Sequence, residues 1–258
     1  MNASPSVTIP ASNTAEPAKC WSCGASVEAA NGAHFCAVCG NVQPPAKTDY
    51  FSFFGLPRKL NVDVAALEKS FYMLSRKLHP DLYAQNDQRE QEWSLEQSSL
   101  LNDAYRTLKD PIKRTQYLLQ LEGVELEEQS KSATEQARTT GGVKRQIVPP
   151  DLLEEVFELN MQLEELRMQK KVGEDDPGLA AEIRQQQVSL EAKHESLLDE
   201  LKKYWTDWDA LIDREQSGVP VPAGDRVQVR DLMVDVLNRR NYIRNLVRDV
   251  SEVLESGR

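Results

Sequence analysis

The chain has 258 residues, 40% hydrophobic and 28% charged, with 31 Lys and Arg against 41 Asp and Glu for a formal net charge of −10. That balance argues against bulk nucleic-acid binding, which depends on neutralising phosphates with clustered cations. No apolar run approaches the roughly 20 residues of a membrane span. Only 12 glycines, with Leu, Glu, Gln, Lys and Arg at helical spacing, point to an all-α chain.

Residues 1–19, MNASPSVTIPASNTAEPAK, contain no Arg and no long apolar run. They read as a disordered lead-in and as neither a secretory signal nor a transit peptide. The expectation is a cytoplasmic protein, or a matrix protein if the source is a eukaryote with mitochondria. All four cysteines follow at Cys20, Cys23, Cys36 and Cys39, as Cys-x2-Cys, twelve residues, Cys-x2-Cys. Gly24 and Gly40 follow the two pairs and suit turns of positive φ. Four thiolates at this spacing suit tetrahedral zinc, and iron remains open because the same donors bind it. The segment's own apolar residues are few, Trp21, Val27, Phe35 and Val38, so metal must organise it, with an apparent binding energy of about 10–16 kcal/mol. Two disulfides would need an oxidising compartment, and a redox pair would need a βαβ context. His34 reads as a surface residue. Residues 20–48 are thus a small zinc-ribbon-like module with its linker.

An aromatic cluster, Tyr50, Phe51, Phe53 and Phe54, then suggests a short first helix. A second helix is predicted over about 63–78, with Val64, Leu67, Phe71, Leu74 and Leu78 as its core stripe. Lys69 and Arg76 fall on the opposite side, one above the other, with Lys77 nearby and Tyr72 and Met73 framing them. A charge pair on a solvated face is usually no more than that. Here it leads directly into His79-Pro80-Asp81. A third helix is predicted over 92–109, with Leu100, Leu101, Ala104, Tyr105 and Leu108 inward. Asp110-Pro111 supplies a fourth start, with Asp as N-cap, and Gly123 a stop.

Residues 124–150 are polar, contain Gly141-Gly142 and end in Pro149-Pro150, the pattern of a flexible linker. From Asp151 a capping-box arrangement with Glu154 opens a helix, whose stripe is Leu152, Val156, Leu159, Leu163 and Leu166. A second apolar row, Leu153, Phe157, Met161 and Met168, is surplus to a bundle core. It is either covered by another part of the protein or a dimer mate, or it is a partner-binding patch. Pro177 to about Ile212 repeats Ile183, Leu190, Leu197, Tyr204 and Leu211 every seven residues, with Gln187, His194, Leu201 and Trp208 between them; His194 reads as a core-edge histidine. Asp225 is expected to cap a last helix over about 226–255, with Val229, Leu232, Val236, Ile243, Val247, Val250 and Leu254 inward. Residues 151–258 are therefore predicted to be a three-helix bundle.

Helix, HPD, loop and helix is the layout of a J domain, the module that stimulates ATP hydrolysis by DnaK-type chaperones. The strings DYFSFFGLP, FYMLSRKLHPD, LLNDAYRTLKDPIKRTQYLL and LEG in residues 49–123 resemble the J domain of the HscB co-chaperones of iron–sulfur cluster biogenesis. General DnaJ proteins share HPD but lack the DP-x-x-R-x-x-YLL tail. DLLEEVFELNMQLEEL and RRNYIRNLVRDV resemble the HscB bundle, and the four-cysteine segment resembles an extension found in some members. The linker is longer than the family pattern.

The resemblance implies a co-chaperone, not an enzyme. It would stimulate a DnaK- or HscA-type ATPase and bring it an IscU-type scaffold, promoting cluster transfer. By that resemblance His79, Pro80 and Asp81 activate the chaperone and Lys69, Arg76 and Lys77 dock it. Leu153, Phe157 and Tyr242 match scaffold-binding positions, and Met161 joins them from the surplus row. A monomer or weak homodimer is expected, without nucleic acid or membrane. Two other readings are a general co-chaperone for unfolded clients and a zinc-ribbon nucleic-acid binder. Against the latter, residues 1–48 carry two Lys, two Glu and no Arg or Asp. No phosphate loop or nucleophile motif accompanies His79 to suggest catalysis.

Overall fold

The computed structural model describes residues 18–27, 33–124, 149–173 and 176–255. The lead-in and the polar linker lie almost wholly outside these residues. Among the described residues there are seven α-helices and one two-stranded ribbon, and the chain divides into two units, Met1–Arg58 with Val62–Asp110, and Lys59–Asn61 with Pro111–Arg258. The all-α architecture, with a small cysteine-rich module, is as expected. The second unit includes a segment, from Pro111 on, that the domain reading placed in 49–123.

In the first unit, β1 (Ala18–Lys19) pairs antiparallel with β2 (Ser26–Val27) around the first Cys pair. Asp49 caps α1 (Tyr50–Phe53) and Asp63 caps α2 (Val64–Lys77), each accepting from a backbone N–H three residues on. A 3-10 turn, Pro80–Tyr83, follows, and α3 (Gln88–Lys109) starts four residues earlier than expected because Asp87 caps it. The core is Val42, Phe53, Leu74, Leu78, Leu101 and Ala104, with Phe35, Tyr50, Phe71 and Trp93 packed on it. Phe71 stacks on Tyr105 at 4.1 Å between ring centroids, a contact of about 0.5–1.5 kcal/mol beyond burial. Val64, expected in the core stripe, is exposed at the first turn, and so is Val38 at the tip of the second Cys pair.

Val42 and Phe35 come from the cysteine module, so that module shares the α2–α3 core. His34 corrects its sequence reading. It is 8% exposed, its Nε2 donates to the Phe53 carbonyl at 3.0 Å, and its Nδ1 lies 2.7 Å from Gln97 Oε1. Gln97 in turn donates to the Gln43 carbonyl at 2.7 Å. This buried polar chain joins the module to α1 and α3, because each of its groups would otherwise be left without water or a partner.

The second unit contains α4 (Pro111–Leu121), a 3-10 turn Pro150–Leu152, α5 (Leu153–Val172), α6 (Pro177–Gln216) and α7 (Ala223–Glu255). Leu152, Val156, Leu159, Leu163 and Leu166 of the α5 stripe are all buried, as are Ile183, Leu190, Leu197, Leu201, Trp208 and Leu211 of α6. Three local readings change. Asp151 does not cap α5, which has no side-chain cap; it lies in the 3-10 turn, 3.7 Å from Arg239. Asp225 lies inside the first turn of α7 rather than before it. Leu232 is exposed and Met233 is fully buried in its place.

The DP-x-x-R-x-x-YLL tail has its explanation here. On α4, the Arg114 guanidinium lies 5.1 Å from the Trp205 ring centroid, and Thr115 Oγ1 accepts from Trp205 Nε1 at 3.0 Å. Leu118 and Leu119 are fully buried. Arg226 reaches Glu122 and Glu215, at 2.7 and 3.1 Å, and lies over Trp208. Asp209 accepts from the backbone N–H groups of Leu60 and Asn61 at 2.7 and 2.9 Å. Among the described residues, no helix is long and apolar enough to cross a membrane.

Candidate functional site

The HPD turn is short and carefully held at its base. Pro80 fixes φ at the first position of the 3-10 turn, where its missing N–H has no helical partner to lose. His79 caps the turn, with Nδ1 accepting from the Asp81 N–H at 3.3 Å and lying 3.5 Å from the Asp81 carboxylate. The His79 carbonyl accepts from the Leu82 N–H at 3.0 Å. Below it, the Leu78 carbonyl accepts from the hydroxyls of both Ser94 and Ser98 at 2.7 Å, and Tyr83 Oη donates to the Lys77 carbonyl at 3.0 Å. The side chains of His79 and Asp81 themselves face solvent. A rigid base under exposed polar tips is what a recognition turn needs.

Lys69, Arg76 and Lys77 are exposed on α2, beside exposed Tyr72 and Met73. Lys69 and Arg76 make no ion pair among the described residues. With Lys77 they form a basic face on a protein of net charge −10, which favours an acidic partner through long-range attraction. Lys77 has a further contact, its Nζ lying 5.7 Å from the Phe35 ring centroid.

The four cysteines meet in one place. Cys20 and Cys39 Sγ are 3.6 Å apart, Cys23 and Cys36 Sγ 3.7 Å, and all four lie within 4.8 Å of one another. A tetrahedron with metal–sulfur bonds of about 2.3 Å has edges of about 3.8 Å, so the donor set fits a four-thiolate metal. The two halves repeat one turn. Gly24 N–H donates to the Cys20 carbonyl and Gly40 N–H to the Cys36 carbonyl, each at 2.9 Å, and both glycines have positive φ.

Backbone N–H groups of the first turn, that of Cys23 foremost, draw the Cys20 thiol down to about 6. Cys39 receives the Asn41 N–H, but desolvation and the three competing sulfurs push it up to about 12. The quartet therefore cannot all ionise alone, and a bound cation would displace the remaining protons.

On α5, Leu153, Phe157, Met161 and Met168 are 53%, 68%, 60% and 59% exposed. Among the described residues no other part of the chain covers this row. The Arg239–Asp151 pair brings the start of α5 beside α7 one turn before Tyr242. Tyr242 is half-buried, its hydroxyl held above the usual range by burial and then by Asp249. Sequence reasoning missed Trp93 and Gln97, and gave Trp21 only as one of the cysteine segment's few apolar residues. Their only signal was their residue type, since each acts through contacts distant in sequence.

Residues 49–117 match the family described as the DnaJ domain. The chain is similar to the iron–sulfur cluster co-chaperone protein HscB of Mus musculus, 44% identical over 112 residues, and to that of Homo sapiens, 40% identical over 114 residues. Each alignment covers 43% of this chain and 48% of the relative, so the chain matches about half the length of these curated relatives. The fold is similar to the crystal structure of human co-chaperone protein HscB, with a TM-score of 0.58 at 24% identity, covering 91% of this chain and 97% of that one. Beside this match, Cys20, Cys23, Cys36 and Cys39 are positioned to hold a metal ion.

Proposed function

We propose that this protein is an adaptor co-chaperone that stimulates a DnaK- or HscA-type ATPase and presents to it an IscU-type iron–sulfur scaffold, promoting cluster transfer. The observation that carries this reading is the pairing of an exposed HPD turn, beside an exposed basic face on α2, with an exposed apolar row on a different unit. His79, Pro80 and Asp81 act on the chaperone, and Lys69, Arg76 and Lys77 steer its acidic docking surface. Leu153, Phe157 and Met161, with Tyr242, take an apolar segment of the scaffold, because exposed apolar rows of this size mark interaction surfaces. Zinc is the metal assigned to Cys20, Cys23, Cys36 and Cys39, where it would supply charge neutralisation and rigidity and take no part in a reaction. Elemental analysis of the purified protein separates zinc from iron.

The test is steady-state ATPase of the partner chaperone with and without the protein. Wild type is expected to raise the rate at least about tenfold, and Asp81→Asn to abolish the effect. Equal stimulation by the two proteins contradicts the HPD assignment. The general-client reading differs in one outcome: it leaves scaffold affinity unchanged in a Leu153→Ala/Phe157→Ala variant.

A further inference from the structure

The HPD turn lies between two arms, the C-terminal end of α2 and the N-terminal end of α3. Each arm carries an aromatic ring from the cysteine module. Phe35, immediately before Cys36, lies under the Lys77 ammonium at 5.7 Å and packs on the core that contains Leu74 and Leu78. Trp21, immediately after Cys20, meets Trp93 edge-on at 5.6 Å and lies under the Arg89 guanidinium at 5.2 Å. The two rings are themselves tied together. Trp21 Nε1 donates to the Val42 carbonyl at 2.8 Å, and Val42 bridges to Phe35. Each ring is thus adjacent in sequence to the first ligand of one Cys pair and grips one arm of the turn.

The grip reaches the turn through α3. Trp93 and Gln97, which the module holds, flank Ser94 and Ser98, which hold the Leu78 carbonyl directly before His79. Loosening the first turns of α3 releases that carbonyl. The module has little core of its own, so its two turns depend on the four sulfurs being drawn together.

We propose that the metal-organised module is a clamp on the HPD turn, with Trp21 and Phe35 as positioning residues whose hold depends on metal occupancy. The proposal rests on the reading of HPD as the chaperone-activating turn and adds a control to it. Metal bound to the four cysteines favours the docked module by mass action, and the docked module keeps residues 78–94 in the conformation that presents His79 and Asp81. Without metal the arms open locally, while the bundle is unaffected.

Hydrogen exchange on the full-length protein tests this, read by mass spectrometry with zinc bound and after chelation. The amides of Leu82, Asn86 and Gln91, bonded within the turn and its approach to α3, are expected to lose protection at least about tenfold on metal removal. Trp21→Ala and Phe35→Ala are expected to give a similar loss with zinc still bound. Trp21→Phe keeps a ring against Trp93 and should retain most of the protection. Amides of α6 serve as the internal control for folding. ATPase stimulation is measured on the same samples and should fall with turn protection.

Unchanged exchange in 78–94 on metal removal overturns the clamp. So does altered exchange with full ATPase stimulation, because the clamp would then not govern the turn's activity. If the zinc-bound wild type fails to stimulate the ATPase at all while exchange still responds to metal, the HPD reading fails and the clamp survives as structure.

Discussion

The HPD face and the α5 row are both exposed, yet they are built on opposite physics. The HPD face is polar, its tips free and its base fixed by hydrogen bonds from Ser94, Ser98 and Tyr83. In the proposed function it would recognise by charge and shape, which favours rapid encounter and salt sensitivity. The α5 row is four large apolar side chains on one helix, opposite a stripe that is buried throughout. In the proposed function it would recognise by desolvation, which concentrates affinity in a few anchors and gives weak salt dependence. Two such surfaces on one chain can be tuned separately. That is what an adaptor between a transient ATPase contact and a held cargo needs.

The sharpest way to break this comparison is to remove the apolar anchors. Leu153→Ala/Phe157→Ala should weaken scaffold binding by about a hundredfold or more in calorimetry, since buried aromatic anchors each contribute roughly 2 kcal/mol or more. Its thermal midpoint should barely move, because exposed substitutions usually stay within about 0.5 kcal/mol. A large drop in stability would mean that the row is packed in the free protein.

Salt separates the two faces next. Raising ionic strength from about 0.05 to 0.3 M should weaken chaperone binding by roughly tenfold while changing scaffold affinity less than about threefold. Lys69→Ala/Arg76→Ala should flatten the first dependence and leave the second alone. Equal slopes in wild type and variant would remove the basic face from the docking surface.

A smaller effect is expected where the J-domain tail meets the bundle. Thr115→Val leaves Trp205 Nε1 buried without its acceptor and should cost about 1–3 kcal/mol in denaturant unfolding. The mildest prediction concerns pH. In the metal-free quartet Cys20 is held down to about 6 and Cys39 up to about 12. At neutral pH the metal must therefore displace at least one thiol proton. Affinity should rise with pH across 6–8, and zinc addition in weak buffer should acidify the solution.

Much of this was legible in sequence for identifiable reasons. The cysteine spacing, HPD and the α5 stripe depend on local chemistry and on a 3.6-residue period, both readable along the chain. The two-row reading of α5 came from the same period. His34 was misread because its burial depends on Gln97, 63 residues away, and no local pattern reports such a partner. Leu232 and Met233 both fit a helical stripe, so spacing alone could not choose between them. Asp151 and Asp225 are good caps by residue type, but Pro150 and Ala223 set where the turns begin. The capping of α3 by Asp87 was hidden because the helix starts on exposed polar residues, before its apolar stripe.

The central claim is that one chain couples these two surfaces. The most direct measurement is chaperone ATPase with the scaffold held below saturation, titrated with wild type, Asp81→Asn and Leu153→Ala/Phe157→Ala. The account predicts that scaffold and wild type together stimulate more than the sum of each alone. The apolar-row variant should lose this synergy while keeping basal stimulation, and Asp81→Asn should lose both. Synergy that survives loss of the apolar row would contradict the account.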